Sequence, residues 1–197
     1  MADSTASWSS GPILSLPRLL VATDGREPLD LPEGLSNATF LRDLDVATLA
    51  AIAGSARPPL GLDIDSVNGL NPDAAAVRFV MEELGIRVVL TRRPAIAARV
   101  AEAGGLALVH LFAFDSTGLS RSLDAHPGIA GAGTVISPGP VLAHLGEADV
   151  ARLPRPVVAY GLIGTVELAR TLLVRADALL FRAELAVLLV GAQAASA

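Results

Sequence analysis

Lysine and cysteine are both absent from the 197 residues, and aromatic side chains make up only 4% of them. Each absence removes a class of chemistry. Without lysine there is no Schiff-base amine and no P-loop lysine. Without cysteine there is no thiol nucleophile, no disulfide framework and no thiolate cage for a metal. The shortage of aromatics leaves few platforms on which nucleic-acid bases stack. All 15 basic residues are arginine, against 20 acidic residues, for a formal net charge of −5. A broadly basic, phosphate-neutralising surface is therefore excluded, whereas a local arginine patch is not.

Hydrophobic residues reach 52%, yet the longest uncharged stretch, from Ala125 up to but not including Glu147, is broken by Pro127, Pro138, Pro140 and several glycines. No membrane-spanning helix fits there. Met1 to Ser10 has no basic region ahead of an apolar one and reads as a loose tail rather than a signal peptide. The expectation is a cytoplasmic protein with no membrane association, a disordered tail over 1–10 and one domain over 11–197.

Eight apolar runs have strand length: Pro12 to Leu16, Ala38 to Leu41, Pro59 to Ile64, Arg87 to Leu90, Leu106 to Leu111, Gly133 to Ile136, Pro156 to Ala159 and Asp177 to Phe181. Their centres recur about every 20 to 26 residues, the spacing of βα units rather than hairpins. Helical patterns lie between them. Val46 to Ser55 is rich in Ala and Leu; Pro72 to Leu84 has apolar residues at helical spacing, with Asn71 as the expected N-cap and Gly85 as the stop. Pro94 to Ala103 carries proline in its first turn, Thr165 opens a helix to about Arg175, and a last helix starts near Ala183.

The strands are apolar throughout rather than alternating, as in a parallel sheet covered on both faces. Eight βα repeats predict a small TIM-type (β/α)8 barrel of minimal length, with some helices shortened. The weakest links are Arg18 to Asp30 and Ser116 to Gly131. An open doubly wound sheet is the alternative, distinguished by whether the first strand pairs with the last.

Barrel enzymes and binding proteins place function at the C-terminal strand ends. The polar residues there are Arg42 and Asp43, then Asp63, Asp65 and Asn68, then Thr91 and Arg92, His110 and Asp115, Ser137, Tyr160 and Arg182. Asp63 and Asp65, two apart at a strand end, are expected on one side of the pleat. There they suit a cation, paired acid–base work or a salt bridge to Arg92. The histidines at 110, 126 and 144 show no HxH or HExxH spacing, so zinc or iron has little support, and magnesium on carboxylates stays open. His110, on an apolar strand, reads either as a packed core histidine or as a general base or ligand contact. Tyr160-Gly161-Leu162-Ile163-Gly164-Thr165 leads from a strand into a helix, where glycines let backbone N–H groups approach an anion, and Arg182 suits a counter-ion. Glycines at such a junction are also simple turn makers.

At four blocks the chain resembles the glycerol uptake operon antiterminator family, also described as glycerol-3-phosphate-responsive antiterminators. Leu62-Asp63-Ile64-Asp65-Ser66-Val67-Asn68-Gly69-Leu70 is similar to that family's hydrophobic-His-hydrophobic-Asp-x-x-x-Gly strand end, and Val89-Leu90-Thr91-Arg92 to its I-S-T-R. His110-Leu111-Phe112-Ala113-Phe114-Asp115-Ser116 is similar to its R-x-F-x-x-D-S/T, and Ala159-Tyr160-Gly161-Leu162-Ile163-Gly164-Thr165 to its A-G-G-x-I-x-T. Order and spacing agree from about Ala38 to Leu185. The chain departs from the pattern with Asp63 in place of histidine, His110 in place of arginine, Val135 in place of glutamate, and Tyr160 and Arg182 in place of small phosphate-site residues.

The resemblance implies a cytoplasmic, non-enzymatic regulator on a TIM-type barrel that responds to glycerol 3-phosphate and acts on leader mRNA, without a cofactor. On this reading the ligand site comprises Asp65, Thr91, Arg92, His110, Asp115, Gly161, Gly164, Thr165 and Arg182. One alternative is a phosphosugar-binding or isomerase-type barrel enzyme using Asp63, Asp65 and His110. Another is a scaffold working through an interface, since the apolar run Leu185, Val187, Leu188, Leu189 and Val190 suits a homodimer contact as well as the barrel.

Overall fold

The computed structural model describes residues 16–26, 39–55, 59–113, 118–120, 123 and 128–182. Its strands are β1 (Leu19–Thr23), β2 (Thr39–Leu41), β3 (Gly61–Asp63), β4 (Val88–Thr91), β5 (Leu106–Phe112), β6 (Ala132–Ser137), β7 (Val157–Tyr160) and β8 (Ala178–Arg182). They form one closed, all-parallel barrel in chain order. The deciding contact is between first and last strands, where Leu19, Leu20, Val21 and Ala22 stand opposite Leu179, Leu180, Phe181 and Arg182. The open-sheet alternative is thereby excluded.

Helices cover the outside: α1 (Val46–Ala53), α2 (Ala74–Arg78), α3 (Pro94–Glu102), α4 (Glu147–Arg152) and α5 (Val166–Leu172). Several are short, and β6 leads into a 3-10 segment, Gly139–His144, rather than directly into a helix. Each start has a local cause. Asp45 caps α1 by accepting from the Thr48 N–H at 2.8 Å, which holds its carboxyl below the usual carboxylate range. Thr165 accepts from the Leu168 N–H at 3.1 Å and caps α5. Proline at the start of α3 costs no hydrogen bond there. A π-turn, Phe79–Glu83, extends α2, and Gly85, with φ at +69°, ends it as expected.

The strands' two-residue alternation divides the core. One cluster, with Leu20, Phe40, Leu90, Leu108, Val135, Val158 and Leu180, contains no helical residue and fills the barrel interior. The other joins Val21, Val89, Val109 and Leu179 to helical residues such as Leu49, Val80, Val100 and Leu172. The interior is tight. A Cβ on Gly61 would lie 2.4 Å from the Phe40 ring, and one on Gly133 would lie 2.5 Å from the Pro156 carbonyl oxygen.

Three expectations are corrected. The first strand is Leu19–Thr23, inside a segment read as a weak link, and not Pro12 to Leu16. Residues 12–15 lie outside the described residues and Leu16 is not in a strand. Periodicity alone does not choose between two short apolar runs; pairing with β8, including the Leu179 N–H to the Arg18 carbonyl at 2.8 Å, does. The N-cap of α2 is Asp73, not Asn71. The Asp73 carboxylate takes the N–H groups of Ala75 and Ala76, while Asn71 donates to Asp73 Oδ2 at 3.3 Å. The helix opened by Thr165 ends at Leu172 rather than near Arg175. The expected final helix near Ala183 lies outside the described residues.

Gly133→Ala forces its methyl group against backbone and should lower unfolding stability by about 1–3 kcal/mol or more. Gly85→Ala meets no atom within 4 Å and carries only the left-handed φ, which costs about 1 kcal/mol. Urea unfolding of the two variants checks the order; equal losses would contradict the tight β6–β7 approach.

Candidate functional site

Counting in twos from the interior residues carries each strand to its C-terminal end. Phe40 leads to Arg42, Gly61 to Asp63, Leu108 to His110, Val135 to Ser137, Val158 to Tyr160 and Leu180 to Arg182. Contacts bear the count out. His110 Nε2 is 2.8 Å from Ser137 Oγ, its ring stacks at 4.2 Å on Phe112 and meets Tyr160 edge-on at 5.7 Å. The Arg42 guanidinium lies 5.2 Å from the Tyr160 ring centre. One polar layer thus caps the apolar interior at the barrel mouth.

Asp63 and Asp65 do not share a side of a pleat, contrary to expectation. β3 ends at Asp63, and Ile64–Ser66 turns as a 3-10 segment, so the alternation stops between them. Asp63 stays on the interior face. Asp65 swings toward β4, where its Oδ2 accepts from Thr91 Oγ1 at 3.0 Å and from the Arg92 backbone N–H at 2.6 Å. The Nε atoms of Arg92 and Arg93 stand 3.5 and 3.3 Å from its two oxygens. With 1% of its side chain exposed, Asp65 fastens the end of β3 to the end of β4. Thr91, fully buried, completes that fastening by accepting from the Arg93 N–H. A second tie runs through Ser66, whose hydroxyl donates to the Asp63 carbonyl and accepts from the Asp43 N–H, both at 2.9 Å. Asp43 has φ at +56°, a conformation that aspartate tolerates better than most residues.

The two titratable groups left at the mouth are shifted in opposite directions by one cause. Burial pushes the Asp63 carboxyl up to about 6, partly offset by Arg42, and the charge of Asp65 adds to the rise. Burial also holds the His110 imidazole down to about 4, reinforced by the charges of Arg42 and Arg92. His110 is therefore neutral near pH 7, and its tautomer decides which way the Ser137 hydrogen bond points.

The remaining sequence candidates sit on the rim. Gly161 and Leu162 both have positive φ, at +74° and +55°, and Leu162 is 76% exposed. Gly139 packs against this turn, its N–H donating to the Gly161 carbonyl at 3.2 Å. Gly164 faces open space, Thr165 caps α5, and Arg182 is exposed at the end of β8. Asp115 lies outside the described residues. Among the described residues no three His, Asp or Glu side chains are grouped to hold a metal ion. No described helix is long and apolar enough to cross a membrane. The ligand set taken from the sequence omitted Arg42, Ser137 and Tyr160, although all three stand among its strand-end residues. The missing signal was the alternation counted from Phe40, Val135 and Val158.

Residues 32–179 match the family model for the glycerol-3-phosphate responsive antiterminator. Two crystal structures share the fold. One is a glycerol uptake operon antiterminator-related protein from Thermotoga maritima, 22% identical over 85% of this chain and 95% of that one, with a TM-score of 0.68. The other is the glycerol uptake operon antiterminator regulatory protein from Listeria monocytogenes, 23% identical with the same coverages and a TM-score of 0.72. No curated protein matches the chain.

The opposed shifts make a signed prediction for pH. An unfolded Asp titrates near 3.9, so between about pH 4 and 6 the folded chain holds a proton on Asp63 that the unfolded chain has lost. That contribution fades as pH rises. An unfolded His titrates near 6.5, so between about pH 4 and 6.5 the unfolded chain gains a proton that His110 does not, and that contribution grows as pH rises. The two largely cancel in the native protein. Asp63→Asn should make stability climb with pH over this window and His110→Gln should make it fall, each by on the order of 2 kcal/mol in urea unfolding. Unchanged slopes in both variants would refute burial as the cause.

Proposed function

The chain belongs to the glycerol-3-phosphate responsive antiterminator family, and from that premise we propose that its barrel mouth is the sensor site for glycerol 3-phosphate. The observation that carries this reading is the pair of arginines at the mouth: Arg42 lies over the Tyr160 ring, which meets His110, Arg92 pairs with Asp65, and the charges of both arginines act on Asp63 and His110. In a chain of net charge −5, positive side chains gather at the strand ends beside neutral or protonatable hydrogen-bonding groups. Arginine suits a phosphoryl group, to which its planar fork donates in pairs. Asp63, His110 and Ser137 offer donors and acceptors to glycerol hydroxyls. Arg92 and Arg182, both exposed, together with the Gly161 to Thr165 turn, form the side from which a phosphate approaches.

On this proposal the protein is a cytoplasmic regulator that does not turn its ligand over, and the liganded state acts on leader mRNA. Asp65 supports the non-enzymatic reading. Its carboxylate is committed to Thr91, Arg92 and Arg93 and so is not free to share acid–base work with Asp63. The homodimer reading rests on Leu185 to Val190, which lie outside the described residues.

Thermal unfolding with glycerol 3-phosphate, against matched glycerol and inorganic phosphate, tests the proposal. At about 100 times its Kd a specific ligand adds roughly 2.7 kcal/mol. Arg92→Ala should reduce the ligand-induced shift while keeping the unliganded melting temperature close to the parent's. Its bond to Asp65 that matters structurally is made by the backbone N–H, which alanine retains. No shift in the parent chain with any of the three compounds would reject the sensor reading.

A further inference from the structure

Arg42 and Asp63 are under-partnered in complementary ways. The Arg42 side chain is 27% exposed and held over the Tyr160 ring. Its Nε is buried and 2.7 Å from Asp43 Oδ2, but without the alignment of a hydrogen bond. The Asp43 side chain is itself 63% exposed, so this ion pair is weak and replaceable. Asp63 stands on the interior face of β3, and among the described residues its carboxylate has neither a hydrogen bond nor an ion pair. A cation without a committed acceptor and a carboxylate without a committed donor therefore stand together at the barrel mouth, where the charge of Arg42 acts on Asp63.

We infer that Arg42 is the interior contact for the anionic group of a phosphate monoester, and that Asp63 takes up a proton from solvent when that anion binds. The inference rests on reading the mouth as a small-anion site, and it names the residue that grips the anion and the charge change that accompanies it. Arg92 and Arg182 are exposed and screened, so they steer an anion more than they hold it. Arg42 is partly desolvated, its fork is oriented by Tyr160, and its field already reaches Asp63 and His110. A charge-assisted bond there is stronger than one on the rim.

An arriving dianion puts a like charge beside Asp63. The groups facing that carboxylate are Arg42 and Asp43 from the end of β2, Asp65 from the 3-10 turn and Arg92 after β4. The two aspartates add to the repulsion. The two arginines favour the ionised form, but an anion bound to them cancels that help. His110, at the mouth on β5, is neutral near pH 7 and has no imidazolium proton to give. Protonating Asp63 from solvent removes the repulsion, and burial has already brought the group close to that change. The protonated carboxyl then becomes a donor to the ligand.

Isothermal titration of the full chain with glycerol 3-phosphate near pH 7, in two buffers of different ionisation enthalpy, reads affinity and proton uptake together. Inorganic phosphate and glycerol serve as comparison probes. The parent chain should bind with net uptake of a fraction of a proton. Asp63→Asn should still bind, with uptake lost or turned into release, because phosphate's own second ionisation near pH 6 is pulled down by arginine. Arg42→Gln should weaken binding at least about tenfold, the loss of one charge-assisted contact. Arg42→Lys, which keeps the charge but not the fork, should fall between. If Arg42→Gln fails the thermal-unfolding check, Arg42→Lys and Asp63→Asn decide. Parent-like affinity in the Arg42 variants, or unchanged uptake in Asp63→Asn, overturns this inference and leaves the mouth as a sensor. No binding of either phosphate by the parent chain overturns both.

Discussion

The pairing of β1 with β8 is the constraint from which the rest follows. Leu19 to Ala22 lie beside Leu179 to Arg182, and that contact turns a parallel sheet into a ring in which every described strand has two neighbours. Closure at eight strands leaves an interior just wide enough for side chains, so it is packed rather than open. Phe40 occupies it by taking the room that Gly61 leaves. Polar side chains then have one place left on the inner face, the C-terminal ends of the strands. The mouth is where Arg42, Asp63, His110, Ser137 and Tyr160 meet because the apolar layers beneath exclude them elsewhere.

Within that layer, the difference between Asp63 and Asp65 is made by backbone geometry rather than residue type. A 3-10 turn separates them by one residue, and it sends one carboxylate to the donors of β4 and leaves the other at the mouth. Asp65 is nearly inaccessible, yet its Oδ2 has two donors and charged neighbours, so it fastens two strand ends. Asp63 is partly buried without comparable compensation, so its carboxyl rises into the range where a ligand or a change of pH acts on it. Nothing in the letters of the Asp63 to Gly69 segment announces this division of labour.

The chain's order of elements was legible because it depends on local sequence pattern, the apolar runs and the turn and cap residues between them. Seven of the eight apolar runs overlap the strands they predicted, and the consistent stop at Gly85 and start at Thr165 came from local backbone chemistry that any surroundings leave intact. What failed depended on partners. The first strand was misplaced because Leu19 to Thr23 owes its state to β8, which is distant in sequence. Asn71 and Asp73 are both good caps, and the competition is settled by where Ala75 and Ala76 point their N–H groups. At the site, the blocks shared with the antiterminator family drew attention to Asp65, Thr91 and Arg92, which hold the strand ends in register. Arg42 and Tyr160 drew less, because their role appears only once the alternation of neighbouring strands is laid side by side.

The departures of this chain from the family's motifs gain meaning from the same layer. Taken singly, Asp63, His110 and Tyr160 look like losses at a phosphate site. In space they touch or face one another: the Tyr160 ring carries Arg42 and meets His110, and Arg42 and Arg92 act on both His110 and Asp63. A ring beside the anion approach is an obstacle only while the backbone must supply the positive charge. Once a guanidinium lies on that ring, the ring orients the charge and shields it from water, which strengthens it. On the proposed reading His110 stays neutral, and protonation of Asp63 removes a negative charge when an anion binds. On the proposed reading the substitutions are parts of one arrangement, in which Arg42, lying on Tyr160 beside His110, supplies cationic character at the mouth.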